Sequence, residues 1–419
     1  MSSGTPHFKT TLMDRTHHPV LVPSAHSLGG IAAIRSLGRA GYPVHAAAQS
    51  RAALGLRSRF ATRSIVHPPV GDPDFAEWFT RYVTEEGIEL VIPGAGISPT
   101  MSPSMGPFSS LFPISSDPSV LLRQSKFALF EHLLDADEPT SLHLPPTLLL
   151  DSGAPPPTGT ALQRLGTPLF IKVDGEHAFE GQGEDAVVRV ETVSEAQNQL
   201  TRMRKVYRKT IVQGFVRGVG VGVFLLRWNG RLIAQQMHQR IHEVPHTGGA
   251  SSLRKTWWHP GIAADAARKL DHVGWQGAAM VEYRFDRHTG DFNLMEMNLR
   301  LWGSLHLSLY AGVDFPLLWA DAFFGELPPK TLTGKIGTVS RHLIPGEISH
   351  LTSLWRDPEV TFRHKIRSAG RFLALSFNPR IKSDLLFPGD RALFLAGALQ
   401  FLRRSIRRNP KKTSGAPHK

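Results

Sequence analysis

The stretch VEYRFDRHTGDFNLMEMNLR, residues Val281 to Arg300, predicts two strands joined by a tight turn. Side chains alternate between the faces of a strand, so Glu296, Asn298 and Arg300 share one face, and the intervening methionines and leucine share the other. Counting back from the turn DRHTGD places Glu282 nearly opposite Glu296. Two opposed carboxylates repel each other, so the pattern predicts a positive group between them.

These side chains offer only oxygen atoms as metal ligands. The carboxylates of Glu282 and Glu296 and the amide carbonyl of Asn298 suit Mg²⁺ or Mn²⁺ better than zinc. The guanidinium of Arg300, next in the row, can hold a phosphate or a developing oxyanion through paired hydrogen bonds. A solvated hairpin face would explain any one of these residues alone, but the four together favour a metal site.

Composition places the chain among folded globular proteins. Its 419 residues, of which 41% are hydrophobic and 20% charged, predict two or three domains. Cysteine is absent, which excludes disulfides, thiolate catalysis and cysteine-bound metals. No apolar run reaches the ~18 residues that span a bilayer, and no signal-peptide pattern is present. A cytoplasmic location, with a peripheral membrane association left open, is the resulting expectation.

Positive charge is concentrated at the C-terminus. The net charge is +13, and from Arg391 onward there are eight basic residues and no acidic one. The basic run RRSIRRNPKK follows the apolar run ALFLAGALQFL, a combination that suits weak contact with an anionic membrane or with nucleic acid. A solvated basic tail is the third interpretation, and the sequence leaves all three open.

The first part of the chain predicts a parallel α/β layer. A polar leader, residues 1–17, precedes a domain predicted over residues 18–115. The turn PSAHSLGG lacks the glycine spacing of a dinucleotide site, so close packing explains its glycines better. The predicted elements are a strand at Val20–Val22, a helix at Ile31–Ala40, a strand at Val44–Ala48, a helix at Asp74–Glu86 and a short strand in IELVIPGAG.

The pattern changes to α+β in the domain predicted over residues 116–330. A helix over 118–134 carries Lys126, and further helices are predicted at 194–206 and 260–273. Between them lie strands suited to an antiparallel sheet, including a hairpin at the NG pair Asn229 and Gly230. Residues 331–419 remain as a C-terminal extension that ends in the basic tail.

The hairpin of the opening stretch resembles the metal-binding signature of the ATP-grasp superfamily, an acid followed by a turn and then E-x-N-x-R. The stretch RIHEVPHTGGASS, Arg240 to Ser252, is similar to the loop before that hairpin in the carbamoyl-phosphate-synthase-like branch of its carboxylate–amine ligases. The resemblance covers roughly residues 18 to 325. It implies a Rossmann-like pre-ATP-grasp domain followed by an ATP-grasp fold of two α+β subdomains.

The resemblance assigns roles to particular residues. Glu282, Glu296 and Asn298 would hold Mg²⁺ ions that bridge the phosphates of ATP. Lys126, on a helix, and Lys172, on a strand, would reach the same phosphates. An apolar strand rarely buries an unpaired ammonium, which supports Lys172, although an edge position facing water is the alternative.

The remaining nucleotide contacts would come from a hinge and two loops. The hinge matches VQGFV, with Gln213, Phe215 and Val216 beside the adenine. The loop DGEHAFEGQGED would cover the phosphates through glycine backbone groups. The second loop, PHTGGAS, would lie near Arg240 and face the acceptor substrate.

Taken together, these residues imply an ATP-dependent ligase that joins a small-molecule carboxylate to an amine through an acyl-phosphate. Arg300 and Arg240 would stabilise the acyl-phosphate and its adduct. Two departures from the family pattern leave an alternative open: Gly214 stands where glutamate is common, and the phosphate loop is unusually acidic. The alternative is a regulatory protein of the same fold that binds nucleotide without turnover.

Overall fold

The computed structural model describes residues 13–70, 72–94, 103–174, 177–179 and 186–407. Within these residues the chain forms a parallel four-stranded sheet, an antiparallel four-stranded sheet and an eight-stranded sheet that is mostly antiparallel. Most of the predicted phosphate-covering loop, including Gly175, Gly181 and Gly183, lies outside the described residues. Most of the predicted leader and the end of the basic tail do so as well.

The N-terminal layer confirms the predicted parallel α/β arrangement. Its strands follow the order β3-β2-β1-β4, and all neighbours are parallel. The first helix begins earlier than predicted because the Ser27 hydroxyl accepts a hydrogen bond from the N–H of Gly30 at 3.0 Å and caps it. The elements are β1 (Val20–Val22), α1 (Leu28–Arg39), β2 (Val44–Ala48), β3 (Arg63–Val66), α2 (Pro73–Glu85) and β4 (Leu90–Val91).

The next region builds an antiparallel sheet in the order β5-β8-β6-β7. Ile171 and Val212 lie on one face of this sheet. They pack in one core with Leu162 and Leu200, which are buried residues of the two helices that cover that face. The elements are α3 (Pro118–Leu122), α4 (Lys126–Leu134), β5 (Thr147–Asp151), α5 (Gly159–Arg164), β6 (Leu169–Val173), β7 (Ala186–Val190), α6 (Val193–Met203) and β8 (Lys209–Gly214).

The prediction of one continuous helix over residues 118–134 is wrong. The chain leaves the helix after Leu122 and re-enters it at Lys126, with Ser125 in an extended conformation at φ −67° and ψ 134°. A carboxylate from another strand explains the break. Asp174, just after β6, accepts hydrogen bonds from the Ser125 hydroxyl at 3.0 Å and from the N–H of Phe127 at 3.3 Å, and so caps the second helix.

The large sheet runs in the order β13-β12-β9-β10-β11-β15-β16, with β14 beside β10. The predicted hairpin at Asn229 and Gly230 joins β9 to β10, and both residues have positive φ, 48° and 73°. Helices α8 and α9 pack on α1 of the N-terminal layer. The elements are β9 (Val219–Trp228), β10 (Arg231–Val244), β11 (Ala250–Thr256), α7 (Pro260–Val273), β12 (Gly277–Phe285), β13 (Phe292–Asn298), α8 (Leu305–Ala311) and α9 (Phe315–Phe323).

The large sheet continues past the boundary predicted at residue 330. Strand β15 pairs with β11, and β16 pairs with β15. Two buried ion pairs fasten this segment to the rest: Asp384 to Arg254 of β11, and Asp390 to Arg35 of α1 at 2.9 Å. The elements are β14 (Leu332–Thr333), β15 (Val339–Arg341), α10 (Ile348–Arg356), α11 (Phe362–Ser376), β16 (Ile381–Ser383) and α12 (Ala392–Arg407). Among the helices described, none is long and apolar enough to cross a membrane.

Candidate active site

The hairpin of β12 and β13 forms as predicted. Glu282 pairs directly with Glu296, and Met280 pairs with Asn298, so the two carboxylates and the amide lie on one face. A bulge follows, in which Leu294 rather than Met295 pairs with the next residue of β12. Met297 and Leu299 are buried on the opposite face as predicted, whereas Met295, at the bulge, is only half-buried.

Cations surround the two carboxylates, as the repulsion between them requires. Burial raises the pKa of Glu296, and the nearby charge of Glu282 raises it further. Lys126, Lys172 and Arg300 act in the opposite direction and favour the ionised form. Residues from a helix, from the small sheet and from the hairpin therefore act on one carboxyl group.

Arg240 reaches Glu282 across an intervening strand. It projects from β10, Glu282 projects from β12, and β9 runs between them. The guanidinium contacts the carboxylates of both Glu282 and Glu243, the latter at 3.3 Å. Burial lowers the pKa of Arg240, but these two carboxylates outweigh it, so the net shift is upward.

Glycine on β9 makes this crossing possible. A Cβ atom at Gly220 would lie 2.8 Å from Cδ of Arg240 and 2.8 Å from Oε1 of Glu243, closer than carbon and oxygen atoms pack. The absence of a side chain at this position leaves a channel over the strand, through which the Arg240 side chain passes. The loop PHTGGAS lies beside Arg240 as predicted. Nη1 of Arg240 donates a hydrogen bond to the carbonyl oxygen of Gly249 at 2.8 Å.

Lys172 lies in the interior of the small sheet, and the alternative of a water-facing edge position is wrong. Its strand, β6, is hydrogen-bonded on both sides, and the residue is 8% exposed. Its Nζ donates to the carbonyl of Met295 in the hairpin bulge at 3.3 Å. Burial lowers the pKa of Lys172, and Glu296 opposes that shift. This hydrogen bond holds Lys172 of the small sheet near the carboxylates of Glu282 and Glu296 on the large sheet.

Lys126 is held by a residue that sequence reasoning missed. Its Nζ donates to Oδ1 of Asp174 at 2.8 Å, and the other oxygen of the same carboxylate caps the helix. Asp174 is two residues after Lys172, so the alternation of a strand places both on one face. That spacing was the signal available in the sequence.

The predicted adenine hinge lies on the same sheet face as Lys172. Lys172 pairs with Ile211, and Phe170 pairs with Gln213, so these side chains point to one side, about 7 Å apart along the strands. Gln213 is 1% exposed, and its Nε2 donates to Thr147 at 3.1 Å. Among the described residues, its buried Oε1 finds no hydrogen-bond partner.

The other two residues of the predicted hinge, Phe215 and Val216, directly follow the last residue of β8. Phe215 is 46% exposed, and its ring lies 6.4 Å from that of Phe170. Val216 is half-buried beside it. The departure at Gly214 has a packing reason, since a Cβ there would lie 2.0 Å from the carbonyl oxygen of Leu165.

Asn298 and Arg300 lie together at the end of β13. Nη2 of Arg300 donates to Oδ1 of Asn298 at 3.1 Å, and Nη1 donates to the carbonyl of Leu301 at 3.1 Å. An amide oxygen has two lone pairs, so Oδ1 can accept this bond and still face a cation. The hydrogen bond holds the guanidinium beside the amide that shares a face with the carboxylates.

The donor set fits a hard divalent cation. Two opposed carboxylates and one amide oxygen are oxygen ligands of the kind that Mg²⁺ and Mn²⁺ prefer. No group of three or more histidine, aspartate or glutamate side chains with metal-binding spacing occurs in the part of the chain described. An ion held by Glu282, Glu296 and Asn298 would therefore complete its shell with oxygens from outside the protein, such as phosphates or water.

A cavity of about 250 Å³ lies beside the loop PHTGGAS, whose His246 lines it. It is lined by His242, His246, Glu347, His350 and Arg371, among others. Nδ1 of His350 is hydrogen-bonded to the backbone carbonyl oxygen of Glu243 at 2.7 Å. The side-chain carboxylate of Glu243 contacts Arg240. Sequence reasoning missed this cavity because half of its wall comes from α10 and α11, beyond the resemblance.

Comparisons with known proteins agree with this geometry. Residues 207–340 match the family described as ATP-grasp in the biosynthetic pathway with Ter operon. Among curated proteins, no sequence matches the chain.

Solved structures extend the match over most of the chain. The L-amino acid ligase from Bacillus licheniformis is 15% identical, with a TM-score of 0.54 and coverage of 74% of each chain. N5-carboxyaminoimidazole synthetase from Staphylococcus aureus is 14% identical, with a TM-score of 0.58, covering 78% of this chain and 81% of that one. N5-carboxyaminoimidazole ribonucleotide synthetase in its ADP complex is 14% identical, with a TM-score of 0.60, covering 87% and 98%. The likeness to these structures shows that the chain has the ATP-grasp fold, which confirms the predicted fold class.

Proposed function

We propose that this protein is an ATP-dependent ligase that joins a carboxylate to an amine through an acyl-phosphate. Mg-ATP would lie between the small sheet and the large sheet. The observation that carries the proposal is the convergence of Lys172 and Lys126 from one subdomain on the opposed carboxylates Glu282 and Glu296 of the other. Anionic phosphates and a divalent cation fit such a set of charges, whereas neutral ligands would leave it without a role.

The reaction would proceed in two displacements. An oxygen of the substrate carboxylate forms a bond to the γ-phosphorus of ATP while the bond to the β-phosphate oxygen breaks and ADP leaves. The amine nitrogen then attacks the acyl carbon, phosphate leaves with the bonding electrons, and the amine loses a proton. Mg²⁺, held by Glu282, Glu296 and Asn298, would supply neutralisation of phosphate charge.

The protein's own cations have distinct places in this scheme. Lys172, buried and anchored at the hairpin bulge, would neutralise charge on the transferring phosphoryl group. Arg300 and Arg240, on the large sheet, would stabilise the acyl-phosphate and the oxyanion formed when the amine adds. On the small sheet, Gln213 would accept a hydrogen bond from the adenine edge, with Phe215 and Val216 beside the ring.

The cavity beside the loop PHTGGAS is the site we propose for part of the acceptor substrate. It is connected to Arg240 through Glu243, and histidine and arginine side chains line it. Replacing His350 with alanine should raise KM for one organic substrate by roughly tenfold, with KM for ATP unchanged. Equal effects on all three KM values would argue against this assignment.

The alternative, a regulatory protein without turnover, rested partly on Gly214. Close packing against Leu165 accounts for that glycine and removes the reason to connect it with lost activity. The acidic loop that also motivated the alternative lies outside the described residues.

The two functions are separated by measuring ADP release against a panel of acids and amines. A ligase sustains ADP release over repeated turnovers only when both a correct acid and a correct amine are present. The Glu296→Gln variant should lose this turnover. Tight Mg-ATP binding with no ADP formed from any acid and amine pair would instead support the regulatory alternative.

A further inference from the structure

Helix α11 exposes a continuous row of large apolar side chains. Successive residues of an α-helix are separated by about 100°, so positions 362, 366, 373 and 377 fall within an arc of roughly 60°. The row consists of Phe362, Ile366, Leu373 and Phe377, which are 72%, 50%, 58% and 84% exposed. Apolar side chains aligned in this way on the outside of a helix are typical of a surface that has a partner.

The other side of α11 rests on the protein. Ser368 and Phe372 point to that side, where they help to line the cavity beside His350. Both are half-buried, whereas the apolar row is exposed along its whole length. The helix is therefore docked on the molecule through its polar and mixed face, with its more apolar face directed away.

Helix α12 has the same arrangement. Leu395, Leu399 and Leu402 are 64%, 56% and 55% exposed, and their spacing places them on one face. The opposite face is anchored, because Leu393 is buried against Ile31 and Leu385. Two helices of the C-terminal segment thus each present an apolar row to solvent.

Basic residues predominate around these rows. Between residues 360 and 407 the chain has ten arginines and lysines but only two acidic residues. Both acids are buried in ion pairs, Asp384 with Arg254 and Asp390 with Arg35. The basic residues are Arg363, Lys365, Arg367, Arg371, Arg380, Lys382, Arg391, Arg403, Arg404 and Arg407.

We propose that α11 and α12 dock this protein on an anionic phospholipid surface. A bilayer accepts both kinds of group at once, with the apolar rows entering the boundary of the acyl chains and the basic residues facing lipid phosphates. The phosphates of a nucleic acid could contact the arginines, but the seven exposed phenylalanine, isoleucine and leucine side chains would then have no partner. A second copy of the chain would bring two basic surfaces together, which like-charge repulsion opposes.

Sedimentation with vesicles tests the proposal on the full chain. Vesicles of 30% phosphatidylglycerol and 70% phosphatidylcholine are compared with vesicles of phosphatidylcholine alone. The apolar variant carries Leu373→Ser and Phe377→Ser, and its control is Val206→Ser, an exposed apolar residue on the small subdomain. The charge variant carries Arg363→Gln and Arg367→Gln, and its control is Arg81→Gln with Arg202→Gln, which removes the same charge elsewhere.

The full chain should partition onto the anionic vesicles and much less onto the neutral ones. The apolar variant should lose roughly tenfold or more in partition coefficient. The charge variant should lose about thirtyfold, and less at high salt, while both controls should bind as the unchanged protein does. Substitutions in place of truncation keep Leu393 and its packing intact.

Three results would overturn the proposal. One is equal partition of the apolar variant and the unchanged protein. Another is binding to duplex DNA at moderate salt with no binding to either vesicle. The third is a dimer in light scattering that the apolar variant converts to a monomer, which would assign the two rows to a second copy of this chain.

Discussion

Replacing Gly220 with alanine should impair the reaction while leaving the fold intact. The new methyl group would start 2.8 Å from Cδ of Arg240 and 2.8 Å from Oε1 of Glu243, whereas ordinary contact begins at 3.4 Å. The two side chains must therefore retreat by about 0.6 Å, and both can do so because they are flexible. The retreat moves the guanidinium that contacts Glu282.

The size of the effect follows from that displacement. Misplacing a catalytic group by 1 Å can cost about 100-fold in rate, so 0.6 Å should cost on the order of tenfold in kcat/KM. The free energy of unfolding should change by no more than about 1 kcal/mol, because the strand conformation suits alanine and no backbone atom is contacted. ADP release with a responsive acid and amine measures the first quantity, and urea denaturation measures the second.

A double-mutant cycle makes the test specific to Arg240. Once Arg240→Gln has removed the guanidinium, Gly220→Ala should add little further loss, because the group whose displacement impairs the reaction is gone. Gly153→Ala, at a position with nothing within 4 Å of the new Cβ, is the matched control and should be silent. Activity of Gly220→Ala within twofold of the unchanged protein, or full additivity with Arg240→Gln, would refute the channel over β9.

Three further predictions concern the same site. Glu296→Gln should abolish ADP release without lowering the free energy of unfolding, because it removes a carboxylate from a repelling pair; a destabilised variant in urea denaturation would contradict this. The folded-state pKa of Glu296 is raised, so the stability that its protonated form contributes should be present below pH 4.5 and lost as pH rises through the folded pKa. The affinity for Mn²⁺, measured by calorimetry, should rise over the same range. The Glu296→Gln variant should flatten both pH profiles. Asp174→Asn should cost about 1 kcal/mol through the weakened cap of α4 and raise KM for ATP through Lys126, whereas an unchanged KM would separate the cap from the nucleotide site.

The parts of this site that could be predicted from sequence depend on local periodicity. The alternation of a strand and the length of one turn are enough to place Glu282 opposite Glu296, and the pairing confirms it. The resemblance pointed to Lys172 and the cost of burying an ammonium supported it, and the strand interior where the residue lies is consistent with that reasoning. Such arguments need only neighbours within one hairpin or one strand.

The features that were missed depend on contacts between distant parts of the chain. The helix break at Ser125 is produced by Asp174, 49 residues later, and the channel at Gly220 exists because of Arg240 on the next strand. The C-terminal strands β15 and β16 have three residues each, too few for a period to show. A pattern in one segment carries no information about a partner that folding brings to it.

We infer that a divalent cation is held between Glu282 and Glu296 when nucleotide is bound. The most direct measurement is a crystal of the protein grown with ADP and Mn²⁺, examined at the manganese absorption edge. We predict an anomalous peak between the two carboxylates, about 2.2 Å from an oxygen of each and in contact with the phosphates. Bound ADP with no peak between them, or a peak held by other side chains, would contradict the claim.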